Sequence, residues 1–266
     1  MLNKFLTKCI KLTILIFTSF RKNQVLISNL IIWLNIQQGR NSPVTNIEEV
    51  SFVKRYLENS KKNIILDVGA HNGSYTDEVL KYFPDSNLYL FEPSKDKYIN
   101  LKNKYLNKQN ISIFNFCLSD SVGEKILFKN SKLDSRATLI HREEAHRNTY
   151  WNLEEIVKSN KLSEFWKIEL GSKQIDLLKL DIEGEEFTVL NDVRDNLHKI
   201  KLIQFEFGEP NIGSRIFFKD FWEMLTDNFK IFRYTHFDQL IEVKQYSEYE
   251  EFFRFTNYLA VNRDLN

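Results

Sequence analysis

Three stretches of the chain predict a doubly wound α/β fold built on a parallel sheet. Asn63 to Leu66 is a short β-branched run that delivers Asp67 and then Val68-Gly69-Ala70-His71-Asn72-Gly73-Ser74, a glycine-containing turn leading into a helix. Ile175 to Leu180 is a second apolar run, ending in Asp181-Ile182-Glu183-Gly184, and Leu202 to Phe207 is a third. Apolar runs this short, bounded by glycine and charge, suit strands covered on both faces by helices. Seven strands are expected, the last antiparallel, with helices ahead of the first.

In chain order, residues 1–36 hold two apolar runs, Leu12 to Phe20 and Val25 to Ile36, split by Arg21-Lys22-Asn23. Neither reaches the roughly 20 apolar residues that span a bilayer, and no small-residue cleavage site follows them. One or two helices packed on the domain or on a second copy of the chain are expected, with a peripheral membrane contact as the alternative. Ile47 to Leu57 is a helix presenting Val50, Val53 and Leu57 on one face.

The turn after the first strand carries the first candidate site. Gly69 lets the backbone turn, Gly73 keeps a Cβ out of a ligand's way, and Ser74 caps a helix with Asp77 three residues on. Tyr75, Val79, Leu80 and Phe83 fall on one face of that helix until Pro84. His71 replaces the second glycine of a dinucleotide fingerprint. Asp67 would repel a pyrophosphate but suits a ligand bearing an ammonium and a sulfonium. Leu88 to Phe91 is the next strand and ends in Glu92-Pro93, where a carboxylate accepts hydrogen bonds from a ribose diol. One ribose without a diphosphate is the simpler ligand, and an NAD-dependent oxidoreductase is the competing one.

Ser94 opens a helix with Tyr98, Leu101 and Tyr105, and Ile111 to Phe116 is a strand running on to Leu118-Ser119-Asp120, which places Asp120 near an adenine amino group. Ile126 to Phe128 is a short strand. Arg136 to Asn160 is highly charged and holds His141 and His146; Glu143, Glu144, His146 and Arg147 suit a solvated helix face, and Ser135 to Leu139 a lid or acceptor pocket. Asp181 and Glu183 arrive at the same sheet edge as Asp67, where burial without partners would cost several kcal/mol. Glu185 and Glu186 suit a helix N-terminus. Glu206 sits near the end of the fifth strand, Gly208 to Gly213 is a loop, Phe217 to Leu225 an aromatic helix, and Phe229 to Tyr234 with Phe255 to Val261 an antiparallel pair.

Composition narrows the function classes. The 266 residues are 42% hydrophobic and 27% charged, enough for one sizeable core. The 37 basic and 36 acidic residues are mixed to a net charge of +1, which excludes a broad nucleic-acid footprint. Cys9 and Cys117 are far apart and outside any ligand spacing, which argues against a disulfide framework and a zinc site and fits a cytoplasmic setting. No His joins Asp181, Glu183 and Glu206 at metal-ligand spacing.

These stretches resemble the FkbM family of S-adenosylmethionine-dependent methyltransferases. The likeness rests on Leu66 to Gly73, Phe91-Glu92-Pro93, Leu118-Ser119-Asp120, Leu178 to Glu185 and Thr256-Asn257-Tyr258-Leu259. It implies a class I methyltransferase (Rossmann-like) domain over residues 61–266 after a helical extension over 1–60. It also implies O-methylation of a sugar, polysaccharide or natural product, with Asp67, Gly69, Gly73, Glu92, Asp120 and Asp181 lining the cofactor or transfer site. Two departures stand out: His71 where the family often has Asn, and no Thr-Leu-Asp near Leu162-Ser163-Glu164. The cofactor set expected is Asp67, Gly69, Ala70, His71, Asn72, Gly73, Ser74, Glu92, Pro93, Ser119, Asp120 and Asp181. The expected bases are Asp181 first, then Glu183 and Glu206, then His71. A glycan or small-molecule acceptor is the expected partner, with Trp151, Phe217, Phe218 and Trp222 able to stack on a sugar. A non-catalytic scaffold with this fold is a third reading, disfavoured by intact carboxylates at three strand ends.

Overall fold

The computed structural model describes residues 21–41, 45–58, 62–130, 136–141, 151, 153–235 and 239–264, with isolated positions among the first twenty. Glu143, Glu144, His146, Arg147, Ser135 and Pro43 lie outside the described residues, as does most of the first apolar run.

The described strands are β1 (Ile64–Val68), β2 (Asn87–Phe91), β3 (Ile111–Phe114), β4 (Cys117–Leu118), β5 (Gly123–Lys129), β6 (Leu153–Asn160), β7 (Ile175–Leu180), β8 (Ile200–Phe207), β9 (Phe229–Thr235), β10 (Gln239–Val243) and β11 (Thr256–Asn262). The main sheet runs β10-β9-β11-β8-β7-β1-β2-β3. β3, β2, β1, β7 and β8 are mutually parallel, and β11 lies antiparallel between β8 and β9. The chain builds outward from β1 to β3 and then returns to β7 on the other side of β1. That reversal opens a crevice at the carboxyl ends of β1 and β7, where ligands of such sheets bind.

The α/β class and the antiparallel last strand agree with the sequence, but the main sheet has eight strands among the described residues rather than seven. The extra one is β10, which turns back along the outer edge of β9. Phe229 to Tyr234 and Phe255 to Val261 do pair, but as neighbours across this excursion and not as a simple hairpin. Ile126 to Phe128 lies in β5 as expected, but its partner in the second sheet, β4-β6-β5, was illegible: β6 buries only Val157 and Ser159, so its outward residues read as a charged segment.

Two-residue alternation sends adjacent strand residues to opposite faces. Leu66, Leu178 and Ile203 join one core with Phe205 and Phe221, whose rings stack at 4.8 Å. Ile65, Leu177 and Leu202 join the other core. The helix α2 (Asn46–Val53), after α1 (Arg21–Gln37), enters that second core through Val50, Phe52 and Val53. Phe52 stacks on Tyr234 at 4.8 Å, and a Thr45–Glu48 capping box starts the helix. Residues 46–57, expected within the extension, therefore pack into the domain.

α1 does not pack on the domain as expected: Val25 is 66% exposed and Trp33 55%. No helix among the described residues is long and apolar enough to cross a membrane. Behind α1 the chain is pinned. Gly39, at φ 79°, lies against Tyr234, where a Cβ would meet the carbonyl oxygen at 1.7 Å. Arg233 Nε donates to the Gln38 carbonyl at 2.8 Å, Asn41 N–H to the Phe255 carbonyl at 2.9 Å, and Glu250 takes both Arg40 and Arg233.

Candidate functional site

β1 ends in Asp67-Val68, and the turn beyond it holds left-handed backbone at Gly69 (φ 85°), His71 (φ 50°) and Gly73 (φ 76°). Gly69 and Ala70 N–H groups both donate to the Phe91 carbonyl, tying the turn to the end of β2. A Cβ on Gly69 would meet the Asp181 carbonyl oxygen at 2.1 Å, so this glycine is set by strand approach. A Cβ on Gly73 would meet the Tyr105 hydroxyl at 2.5 Å; Gly73 makes room for Tyr105 and not, as expected, for a ligand. The helix α3 (Ser74–Tyr82) is capped at Gly73, so the Ser74–Asp77 cap is also corrected. Ser74 Oγ accepts from Asn46 of α2, Asn72 Oδ1 accepts from Ser74 N–H, and Asp77 accepts from Tyr105.

The cleft beside this turn has an empty volume of about 580 Å³. Val68, Gly69, His71, Glu92, Pro93, Lys97, Asp181, Glu183 and Glu185 line it, with Phe91, Phe116, Leu118, Leu127, Leu139 and Ile182 as apolar walls. Glu92 is buried, and its two oxygens accept from His71 N–H and Ser94 N–H at 2.9 Å each. Burial pushes its carboxyl up to about 7, against the opposing pull of Lys97 and these two amides. Burial and Lys97 together hold the His71 imidazole below its ordinary value. His71 and Glu183 (φ 56°) are both non-glycine residues in left-handed backbone, a cost of order 1 kcal/mol each that collects at functional edges.

Of the expected cofactor residues, Gly69, His71, Glu92, Pro93 and Asp181 line the cleft and the other seven do not. Asp67 is 1% exposed and sealed beneath the turn, accepting from Thr76 Oγ1 at 2.7 Å and facing Lys179 Nζ at 3.2 Å. Its charge is answered inside the fold, so it does not sort cationic ligands from pyrophosphates; Glu92, Asp181, Glu183 and Glu185 are the acids on the cleft. Asp120 is outside the cleft, where hydrogen bonds from Lys125 and Ser121 bring its carboxyl down to about 2. Ser119 is buried behind the wall and donates to Glu185 at 3.1 Å. Ala70, Asn72, Gly73 and Ser74 shape the turn without lining the cleft.

The 175–186 stretch folds as its charges require. Asp181 N–H donates to the Val68 carbonyl, and its carboxylate, 51% exposed, lies 3.3 Å from Lys179. Glu186, placed by sequence as helix-terminal charge, closes the turn by accepting from Ile182 and Gly184 N–H at 2.9 Å each. Thr138 pairs with Phe128 and donates to the Glu183 carbonyl, which fixes the 137–139 segment onto the cleft wall.

A second, shallow recess, open to solvent, lies across Asp181, lined by Glu49, Lys179, Gln204, Glu206, Tyr234 and Asn257 among others. Asn257 Nδ2 donates to Glu49 at 2.9 Å, and Gln204 Nε2 to the Tyr234 hydroxyl at 2.6 Å. Burial pushes the Glu49 carboxyl up to about 8. Burial, with Asp181 and Glu183 nearby, raises Glu206 well above the usual carboxylate range. Asp181 alone among the described residues lines both cavities. His141 and the four aromatics expected to stack on a sugar line neither; Phe218 is fully buried core. Lys179 and Asn257 stood inside the quoted motifs without a role, and Glu49 carried no sequence signal.

Raised carboxyls at Glu49, Glu92 and Glu186, the last to about 8, set a pH dependence of stability. The folded chain holds these protons while the unfolded chain has released them, so stability falls as pH rises from the ordinary carboxylate range through about 8. The ligand-free protein is expected to melt several degrees higher at pH 6 than at pH 8.5 by calorimetry. A melting temperature that climbs over that interval contradicts these assignments.

Residues 67–250 match the model of the methyltransferase FkbM domain. The chain is 24% identical over 185 residues to the 2-O-methyltransferase NoeI of Sinorhizobium fredii (strain NBRC 101917 / NGR234), covering 66% of this chain and 75% of that protein. Among solved structures, an rRNA methylase from Streptococcus thermophilus superposes with a TM-score of 0.46 at 10% identity, over 83% of this chain and 98% of that one. Precorrin-6y C5,15-methyltransferase from Geobacter metallireducens GS-15 gives 0.44 at 9% identity, over 83% and 90%.

Proposed function

Because the chain belongs to the FkbM methyltransferase family, we propose that it transfers a methyl group from S-adenosylmethionine to a hydroxyl of a sugar, polysaccharide or related small molecule. The observation that carries the reading is Asp181, the carboxylate shared by the cleft whose lining suits the donor and an adjoining polar recess whose lining suits a hydroxyl. The residues of the cleft suit the donor. Each Glu92 oxygen, holding one backbone N–H, retains a lone pair for a ribose hydroxyl. The apolar walls suit an adenine, and the acids around Asp181 and Glu183 suit a cationic ligand. The name of the Sinorhizobium relative supports transfer to oxygen.

S-adenosylmethionine supplies an electrophilic methyl on a sulfonium; the chain supplies alignment and a place for a proton. Fixing the reacting groups is worth about 7 to 11 kcal/mol of barrier in well-oriented systems. Lys179 holds Asp181 through Oδ2, leaving Oδ1 to accept the proton of the acceptor hydroxyl. Glu206 and Glu49, with their raised carboxyls, hold a proton near neutral pH in the same cavity. Glu183 and His71 line the donor cleft only and are assigned to binding.

Calorimetry on the purified protein tests the donor. Binding of S-adenosylmethionine and of its demethylated product is expected, with roughly 100-fold weaker binding for Glu92→Ala, which removes the ribose acceptor and strands two backbone donors. Binding of a nicotinamide nucleotide with no heat from either sulfur compound would overturn the reading. Labelled methyl transfer into cell-surface glycan extracts then identifies the acceptor.

A further inference from the structure

The first 47 residues hold Lys4, Lys8, Lys11, Arg21, Lys22 and Arg40 and no acidic residue, leaving 31 of the 37 basic residues against all 36 acidic ones. Within this segment α1 displays Val25, Leu26, Leu30, Ile31, Trp33 and Leu34 to solvent, each roughly half exposed or more. A helix apolar around most of its circumference belongs in an apolar medium, and the domain does not provide it. A basic, acid-free segment joined to an unburied apolar helix matches an anionic lipid surface in both charge and hydropathy.

We propose that α1, with the basic stretch leading into it, docks the protein on an anionic lipid bilayer. The helix is aimed by the contacts behind it. Gly39 sits on Tyr234, and Asn41 donates to the Phe255 carbonyl. Tyr234 lines the second cavity, and Phe255 lies two residues from Asn257, which also lines it. Docking therefore tethers the strands that line the recess beyond Asp181 close to the lipid surface, where an acceptor carried on a lipid would be met. That last step rests on the methyl-transfer reading; the docking does not.

The test is flotation of the full-length chain with vesicles of equal parts phosphatidylglycerol and phosphatidylcholine, or of phosphatidylcholine alone, in the absence of methyl donor. The expected result is binding to the anionic vesicles that weakens as salt is raised. Leu30→Asp and Trp33→Asp each lower it at least tenfold. Reversing Lys11, Arg21 and Lys22 to Glu lowers it about a hundredfold. Leu30 and Trp33 are 53% and 55% exposed, so these variants keep the parent's melting temperature. Equal recovery of parent and variants with vesicles overturns the proposal, as does binding to neutral vesicles that ignores charge reversal. So does a concentration-dependent dimer that Trp33→Asp dissociates, with no vesicle binding, which would make a second copy the occupant. None of these results bears on donor binding, which calorimetry reads separately.

Discussion

Asp181→Asn is expected to lower the rate of methyl transfer by roughly 100- to 10,000-fold, the range for losing a positioned general base. It should leave the affinity for S-adenosylmethionine within about tenfold. Asn matches the carboxylate in size and still accepts a hydrogen bond, but it cannot take the proton of an attacking hydroxyl. Lys179 keeps its second partner, Asp67 at 3.2 Å, so the substitution does not strand the buried ammonium. Single-turnover rates beside calorimetric binding separate the two effects. Unchanged turnover at unchanged affinity removes Asp181 from the role.

The largest stability effect is expected at Lys179. Its ammonium is buried between Asp67 and Asp181, and attraction to those carboxylates outweighs burial and raises its pKa. Lys179→Met leaves Asp67 charged, 1% exposed and with Thr76 as its one hydrogen-bond donor among the described residues. Breaking a buried pair from one side costs about 3 to 5 kcal/mol, a fall in melting temperature of roughly 10 °C for a chain of this size. Asp67→Asn placed on top of Lys179→Met is expected to recover a large part of the loss, because it removes the stranded charge. Additive losses in the double variant would show that the pair is not coupled.

What was legible in the sequence was whatever depends on neighbours along the chain. The run from Asn63 through the turn to Phe83 announces itself because strand, left-handed glycines and an amphipathic face follow one another. Glu92 follows for the same reason, one strand further on. What was not legible depends on residues brought together from afar. Asp67 reads as a ligand-facing acid until Lys179, six strands on in sequence but adjacent in the sheet, is folded against it. Glu49 carries no signal along the chain, and only the packing of α2 beside β11 brings it to Asn257. β10 and β6 escape because each has one face in water, so neither shows the dense apolar run that betrays a central strand.

The shared ammonium also limits how this protein can change. One side chain secures the scaffold through Asp67 and holds Asp181, the carboxylate proposed to take the proton, so on that reading drift at position 179 is judged twice, once by folding and once by chemistry. A screen that scores product alone would confuse the two failures. If the recess across Asp181 takes the acceptor, new acceptor preferences have an easier path through Glu49 and Asn257, which line that recess and bond each other without touching Lys179's ion pairs.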